Sequence, residues 1–244
     1  SGKSTTLASM LNYRNENATG HILTIEDPLE FLHAHKLSVV DQREVGIDTH
    51  SYEEALKNAL REAPDVIMIG EIRDRNTMKQ AIAYAETGHL CLSTLHANNA
   101  NQAMERVINF FPEEAHRQLL VDLSLNLAGV VSQRLIPGLH EKLVPAVEVM
   151  LNSSYISDLI TKGEFSGIKE AMARSTEIGM CTFDQALYQL YTEDRISLDE
   201  ALHNADSRTD LALRIRLAAG VSTQDAGDLS IDTSSPIQSA ARLA

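Results

Sequence analysis

The chain is poor in cysteine, in positive charge and in long apolar runs, and each shortage removes a class of function. Its two cysteines, Cys91 and Cys181, stand far apart and Cys91 lies inside an apolar run. That suits reduced core thiols better than a disulfide framework or a catalytic thiol. Lys+Arg number 21 against Asp+Glu 34, a net charge of -13. A broad basic face for nucleic acid is therefore not expected, nor is a nucleic-acid partner; any basic site must be local. No apolar stretch approaches the roughly 20 residues that span a bilayer, and no signal peptide precedes the first motif, so a cytoplasmic chain is expected. An initiator Met is missing too. The chain opens on Ser1-Gly2-Lys3-Ser4-Thr5, the closing half of a phosphate-binding loop without its earlier glycine, which reads as part of a longer protein.

What is present suffices for a core. The 244 residues, 43% hydrophobic and 23% charged, fit one large or two small domains. Leu7, Met10 and Leu11 at helical spacing predict a helix directly after the loop. His21 to Ile25 predicts a short buried strand, and Ser51 with Glu54 a capped helix to about Glu62, stopped by Ala63-Pro64. Val66-Ile67-Met68-Ile69, closed by Gly70, predicts a strand buried on both faces. A helix from Asn76 to Glu86 and a strand from Leu90 to Leu95 repeat the pattern, and strands alternating with helices imply an α/β parallel sheet. Helical periodicity is then expected through Phe110 and from Pro112 to about Leu135, with Val144 to Met150 as a further strand of the sheet. Short helices from Tyr155, Ile168, Phe183, Ser197 and Leu211 predict a helical subdomain, giving expected divisions of 1–152 for the core and 153–219 for the helices. Residues 220–244 carry few large apolar groups and are expected to be a disordered tail. There is no internal repeat.

Three elements carry the chemistry. Gly2-Lys3-Ser4 matches the end of G-x-x-x-x-G-K-[ST], in which backbone N–H groups at a helix start cradle phosphates, the lysine reaches the outer oxygens and the hydroxyl binds Mg²⁺. The tripeptide alone is weak; a following helix and alternating strands give it weight. Glu71 ends a fully apolar strand, with Arg73 and Asp74 beyond it. A lone Glu at a strand end is ordinarily a solvated carboxylate, but this placement favours a metal site. Glu26, Asp27 and Glu30 follow the strand ending at Ile25. They could form a plain solvated turn; in a nucleotide enzyme one of them can orient and deprotonate the attacking water. His89 and His96 bracket one strand, too far apart to share a metal. A strand-end histidine is usually structural, although His96 near a phosphate could contact the γ-phosphoryl group.

These residues carry a resemblance. Leu60 through Asp74, LREAPDVIMIGEIRD, resembles the signature segment of the secretion and type IV pilus traffic ATPases. Thr24 through Phe31 resembles their aspartate box, and Thr87-Gly88-His89 through His96 their histidine box. The likeness covers about residues 1 to 219. It is greatest to the PilT/PilU retraction branch, on its PilU side, through Gln42-Arg43-Glu44-Val45-Gly46, Gly70 to Arg75, His96-Ala97-Asn98, Asn109 to Glu114 and Ser207 to Leu211. The short Pro137-Gly138-Leu139-His140-Glu141-Lys142 loop stands where assembly and secretion members typically carry a tetracysteine zinc element.

The resemblance implies a RecA-like P-loop NTPase core with a mainly parallel sheet and a helical C-terminal subdomain, using ATP and Mg²⁺. By it, Ser1, Gly2, Lys3, Ser4 and Thr5 bind phosphate; Glu26, Asp27, Arg73 and His89 belong to the nucleotide site. Ser4 and Glu71 hold the metal, Glu71 through water, and Glu30 rather than Glu26 activates the water. His89 and His96 link nucleotide state to subunit geometry. It also implies a homo-hexamer or a mixed ring with a related pilus ATPase, acting on an inner-membrane platform protein at the inner face of the bacterial inner membrane. The expected output is pilus retraction and twitching motility. A secretion or DNA-uptake traffic ATPase, and a weakly catalytic accessory ring protein, are the alternatives. One departure is local: at Ser154 to Ile160 the Ala-Ile-Arg-Asn-Leu-Ile-Arg-Glu motif of the PilT branch survives only in outline.

Overall fold

A computed structural model describes residues 2–218. Ser1 and the expected tail lie outside the described residues. Four parallel strands form the main sheet in the order β2-β1-β3-β4: β1 (Gly20–Glu26), β2 (Ser38–Glu44), β3 (Val66–Ile69) and β4 (Leu90–Ser93). Alternation of side chains splits the central strands between two cores. Ile22, Val40, Val66 and Met68 meet Leu7 and Leu11 of α1 (Lys3–Asn17) on one face. Leu23, Ile25, Ile67 and Ile69 meet α2 (Tyr52–Ala59) and α3 (Arg75–Glu86) on the other. Both faces are covered, which is why β3 is an uninterrupted apolar run.

Local chemistry fixes the ends. The Ser51 hydroxyl accepts from the Glu54 N–H at 3.1 Å, starting α2, and Asp74 accepts from Thr77 N–H at 2.9 Å, starting α3. The α2 helix stops at Ala59 and runs into a 3₁₀ turn over Leu60–Glu62. Buried Asn15 ties the coil before β2 to α1, donating to Ala34 O and accepting from the N–H groups of Lys36 and Ser38.

Two expectations are corrected beyond α4 (Ala100–Asn109). The helix from Pro112 is α5 (Glu113–Asn126) and ends there; Gly129–Pro137 is instead a strand, β5. The segment Val130-Val131, followed by Leu135-Ile136, alternates between faces of a ribbon once β-branched residues dominate. The strand expected at Val144 to Met150 exists as β6 (Leu143–Leu151), but it does not join the parallel sheet. It pairs antiparallel with β5, Val131 opposite Val149 and Ile136 opposite Val144. The neighbour in sequence, joined by the short 138–142 loop, is the nearer partner.

The buried face of this ribbon divides two further cores. Met150 packs with α4, α5 and α6 (Ser154–Lys162), while Ile136, Val144 and Ala146 pack against Phe183, Leu187 and Leu190. The remaining helices are α7 (Ile168–Arg174), α8 (Phe183–Thr192), α9 (Leu198–Asn204) and α10 (Arg208–Ala218). An Arg134–Asp206 pair at 2.8 Å, with Arg134 also stacked 3.9 Å over Phe183, locks them to β5.

Candidate functional site

The carboxyl ends of β1, β3 and β4 open on a cleft of about 200 Å³. Parallel register puts them level: Ile25 lies opposite Ile69, and Ile69 opposite Ser93. Loops leaving neighbouring strands at one end converge, and ligands bind there in open α/β sheets. Lys3, Ser4, Glu26, Asp27, Glu30, Glu71, Arg73 and His96 all line this cleft.

The start of α1 forms one wall of it. Helices α2, α3, α4, α6, α8 and α9 are each capped by a Ser, Thr, Asp or Asn side chain. The α1 helix has Gly2 in that position, at φ 79°, and no side-chain cap. Glycine takes this left-handed backbone freely, and a Cβ here would stand 2.8 Å from Gln133 Nε2. The first N–H groups of α1 are left to an outside acceptor, the arrangement that binds anions. Lys3 forms no ion pair among the described residues. Gly2 and Thr5 belong to the same helix start but do not line the cleft.

Opposite stands Glu71, its side chain 14% exposed and shared by an arginine and a histidine. His96 Nε2 lies 2.7 Å from Oε1 and Arg73 Nε donates to Oε2 at 2.9 Å, with Arg73 also 3.9 Å from Asp27. Contact with a carboxylate places the His96 proton on Nε2. Gly70 lets β3 approach β1 closely: a Cβ there would meet Tyr52 Oη at 3.2 Å and Glu26 Cα at 3.3 Å.

The two other carboxylates differ. Glu26 is buried, accepting from Thr24 Oγ1 at 2.8 Å and Gln42 Nε2 at 3.4 Å. Glu30 is exposed on the cleft and makes no hydrogen bond among the described residues. His89 is not brought to the cleft. It sits at the amino end of β4, with Nδ1 within 3.0 Å of Thr87 Oγ1 and 3.2 Å of Tyr84 O.

Sequence reasoning missed Tyr52, His33 and Thr94, which also line the cleft. Burial and the nearby Asp27 push the Tyr52 hydroxyl up to about 12, so it faces the cleft as a neutral donor. Burial holds His33 low, against the pull of Glu26. The Ser51 cap was a usable signal for Tyr52, since it places that residue at the first position of α2. A second histidine–carboxylate group, His21, Asp41 and Glu62, lies around the amino half of β1 and β2 with ligand atoms within 4.8 Å of one another. Its members are already paired, His21 with Asp41 at 2.9 Å and Glu62 with Arg43 at 2.5 Å.

Residues 1–209 match the family described as type II/IV secretion system protein. The chain belongs to that family. Among its type II/IV secretion relatives, the type IV pilus ATPase PilU of Pseudomonas aeruginosa is 60% identical over 94% of this chain and 59% of its own length. The type IV pilus retraction ATPase PilT of the same organism is 43% identical over 84% of this chain and 60% of its own. A crystal structure of the pilus retraction motor PilT with bound ADP superimposes with a TM-score of 0.80 at 41% identity, covering 87% of this chain and 60% of that one. The α/β fold with its parallel sheet is thereby shared with a nucleotide-binding member of the family. The chain spans about 60% of the length of these relatives.

Proposed function

We propose that this chain is the catalytic part of an ATP-hydrolysing motor subunit that powers type IV pilus retraction and twitching motility. The observation that carries the reading is one cleft in which an uncapped helix start, Lys3 and Ser4 face Glu71 and Glu30 across the ends of parallel strands. Likeness to PilU and PilT supplies the pilus context. A type II secretion system protein E of Pseudomonas aeruginosa matches only 56% of the chain, at 40% identity, which ranks the secretion reading lower.

The donor set suits Mg²⁺: a serine hydroxyl and a carboxylate are hard oxygen ligands, and both line the cleft. Ser4 and Glu71, the latter through water, would hold Mg²⁺, which would supply charge neutralisation to the phosphates. The N–H groups at the start of α1 and the Lys3 ammonium hold the phosphates and balance charge as it moves toward the leaving oxygen. Glu30 accepts a proton from the attacking water as its oxygen bonds to the γ-phosphorus and the bond to ADP breaks. Glu26, already held by Thr24 and Gln42, has less capacity for that role. His96 and Arg73 hold Glu71 in place and sit where a change in phosphate charge would be felt.

In this reading the subunit works in a ring, homo-hexameric or mixed with a related pilus ATPase. The ring acts on an inner-membrane platform protein from the cytoplasmic side, with a core over residues 1–152 and a helical subdomain after it. No described helix is long and apolar enough to cross a membrane. A second reading, an accessory ring protein with weak catalysis, rests on the altered Ser154–Ile160 segment. The deciding experiment places Lys3→Ala in the full-length protein and measures ATP hydrolysis and twitching. Loss of both supports the motor; twitching unchanged at zero hydrolysis selects the accessory reading.

A further inference from the structure

Glu148 is a carboxylate in an unusual place. It is 3% exposed, in the middle of β6, between Met150 of one core and Ala146 of the other. Burying such a group without partners is costly, so its partners reveal what it serves. Its Oε1 accepts from the backbone N–H of Ala100, the first residue of α4, at 2.8 Å. Ser132, directly opposite on β5, also bonds to it, with Asp206, Arg134 and Cys181 near enough to act on it by charge.

Ala100 closes the loop that carries His96. The other end of that loop is tied to β3: Thr94 Oγ1 donates to Gly70 O at 2.7 Å and Ile72 N–H donates to Thr94 O at 3.0 Å. Between these two anchors, Leu95 packs into the cores, and His96 reaches Glu71. Asn98 and Asn99 bond to Gln102, within α4 itself. The position of His96 therefore follows the position of the α4 start, and that start is pinned by Glu148.

We infer that Glu148 is a positioning residue, which holds His96 against Glu71 through the Ala100 N–H and so links the ribbon and helical subdomain to the nucleotide cleft. The inference rests on the ATPase reading for its kinetic consequence, but its geometric core can be read without turnover. Three variants in the full-length protein separate the possibilities. Glu148→Gln keeps an acceptor for Ala100. Glu148→Met fills the space with no acceptor. Ala100→Pro deletes the donor while leaving Glu148 in place, at the cost of a ring at a buried position: proline is tolerated at a first helical position, and the preceding Asn99 is already extended at φ -157°, ψ 175°.

Glu148→Met and Ala100→Pro should each lower kcat between tenfold and about a hundredfold, the cost of a group displaced by up to about 1 Å, with ADP affinity unchanged. Glu148→Gln should stay within about twofold of wild type. His96→Ala should cost as much as Glu148→Met, and the double variant no more than the worse single, because both remove one unit. Multiplying effects, or wild-type kcat in Ala100→Pro, would overturn the inference. The ¹⁵N shift of His96 Nε2 gives the second readout. It should move in Glu148→Met and Ala100→Pro toward its value in Glu71→Gln, and hold in Glu148→Gln. A shift unmoved in Ala100→Pro overturns the inference whether or not the protein hydrolyses ATP. Absent hydrolysis in wild type, with the shift responding as described, counts against the ATPase reading alone.

Discussion

Two ends of the same strands carry similar side chains and do different things. Around the amino half of β1, His21 pairs with Asp41 and Asp65 accepts from the His21 N–H at 2.7 Å, while Arg43, further along β2, is taken up by Glu62. At the carboxyl end, His96 and Arg73 also find a carboxylate, but Lys3 and Glu30 remain unpaired among the described residues and an open helix start faces them. Histidine, arginine and carboxylates thus do not by themselves make a site. Binding capacity left over after the protein has satisfied itself does, and it collects where strands end and a helix begins.

The comparison breaks first at Lys3. In the full-length protein, Lys3→Ala should lower kcat at least about a hundredfold, as removal of one preorganised charge-stabilising donor does; a steady-state ATPase assay decides it. Glu71→Gln should cost about a hundredfold while ADP still binds, and weaker ADP binding of the same size would place Glu71 in ground-state binding instead. At the other end, His21→Ala should leave kcat unchanged and lower unfolding free energy by about 0.5–1 kcal/mol in urea, the worth of a partly exposed pair. An equal loss of rate would erase the distinction between the ends.

A smaller effect concerns pH. Burial raises the Glu148 carboxyl above its ordinary value, so the folded protein holds that proton more tightly than the unfolded chain. Below the ordinary value both states are protonated and the site contributes nothing. Above it, stability falls with rising pH until the raised value is passed. The urea midpoint of Glu148→Gln should therefore gain on wild type across that window and run parallel to it outside. Smallest is Cys91, whose thiol burial pushes up to about 12: alkylation of the native protein near neutral pH should be far slower there than for an exposed thiol.

Legibility in the sequence followed burial. The β3 strand could be read because both its faces are covered, and α7 emerged over Ile168–Arg174 as expected because its apolar spacing and ends are local signals. The β2 strand was invisible: it is an edge, and Asp41-Gln42-Arg43-Glu44 leave no apolar run. The ribbon was half read, because apolar content marks β6 as a strand but says nothing of which neighbour it pairs with. At the site, Glu71 and His96 could be placed together, since both follow parallel strands at one end. For Tyr52 the Ser51 cap fixes its place at the start of α2, the helix between β2 and β3, but not that this start faces the cleft. Glu148 carries no local signal: its role appears only once β6 and the start of α4 are seen to touch.

The bare start of α1 makes occupancy and folding one equilibrium. With glycine as its cap the helix gives up only about a few tenths of a kcal/mol relative to a Ser or Asp, but its first N–H groups stay without a protein acceptor. An anion seated on those N–H groups supplies one, along with whatever the remaining contacts contribute, and only to the native form. On the proposed reading the protein is at its loosest when empty and tightens on loading, so that melting temperature itself becomes a gauge of the site, rising with ADP concentration even in a variant without hydrolysis.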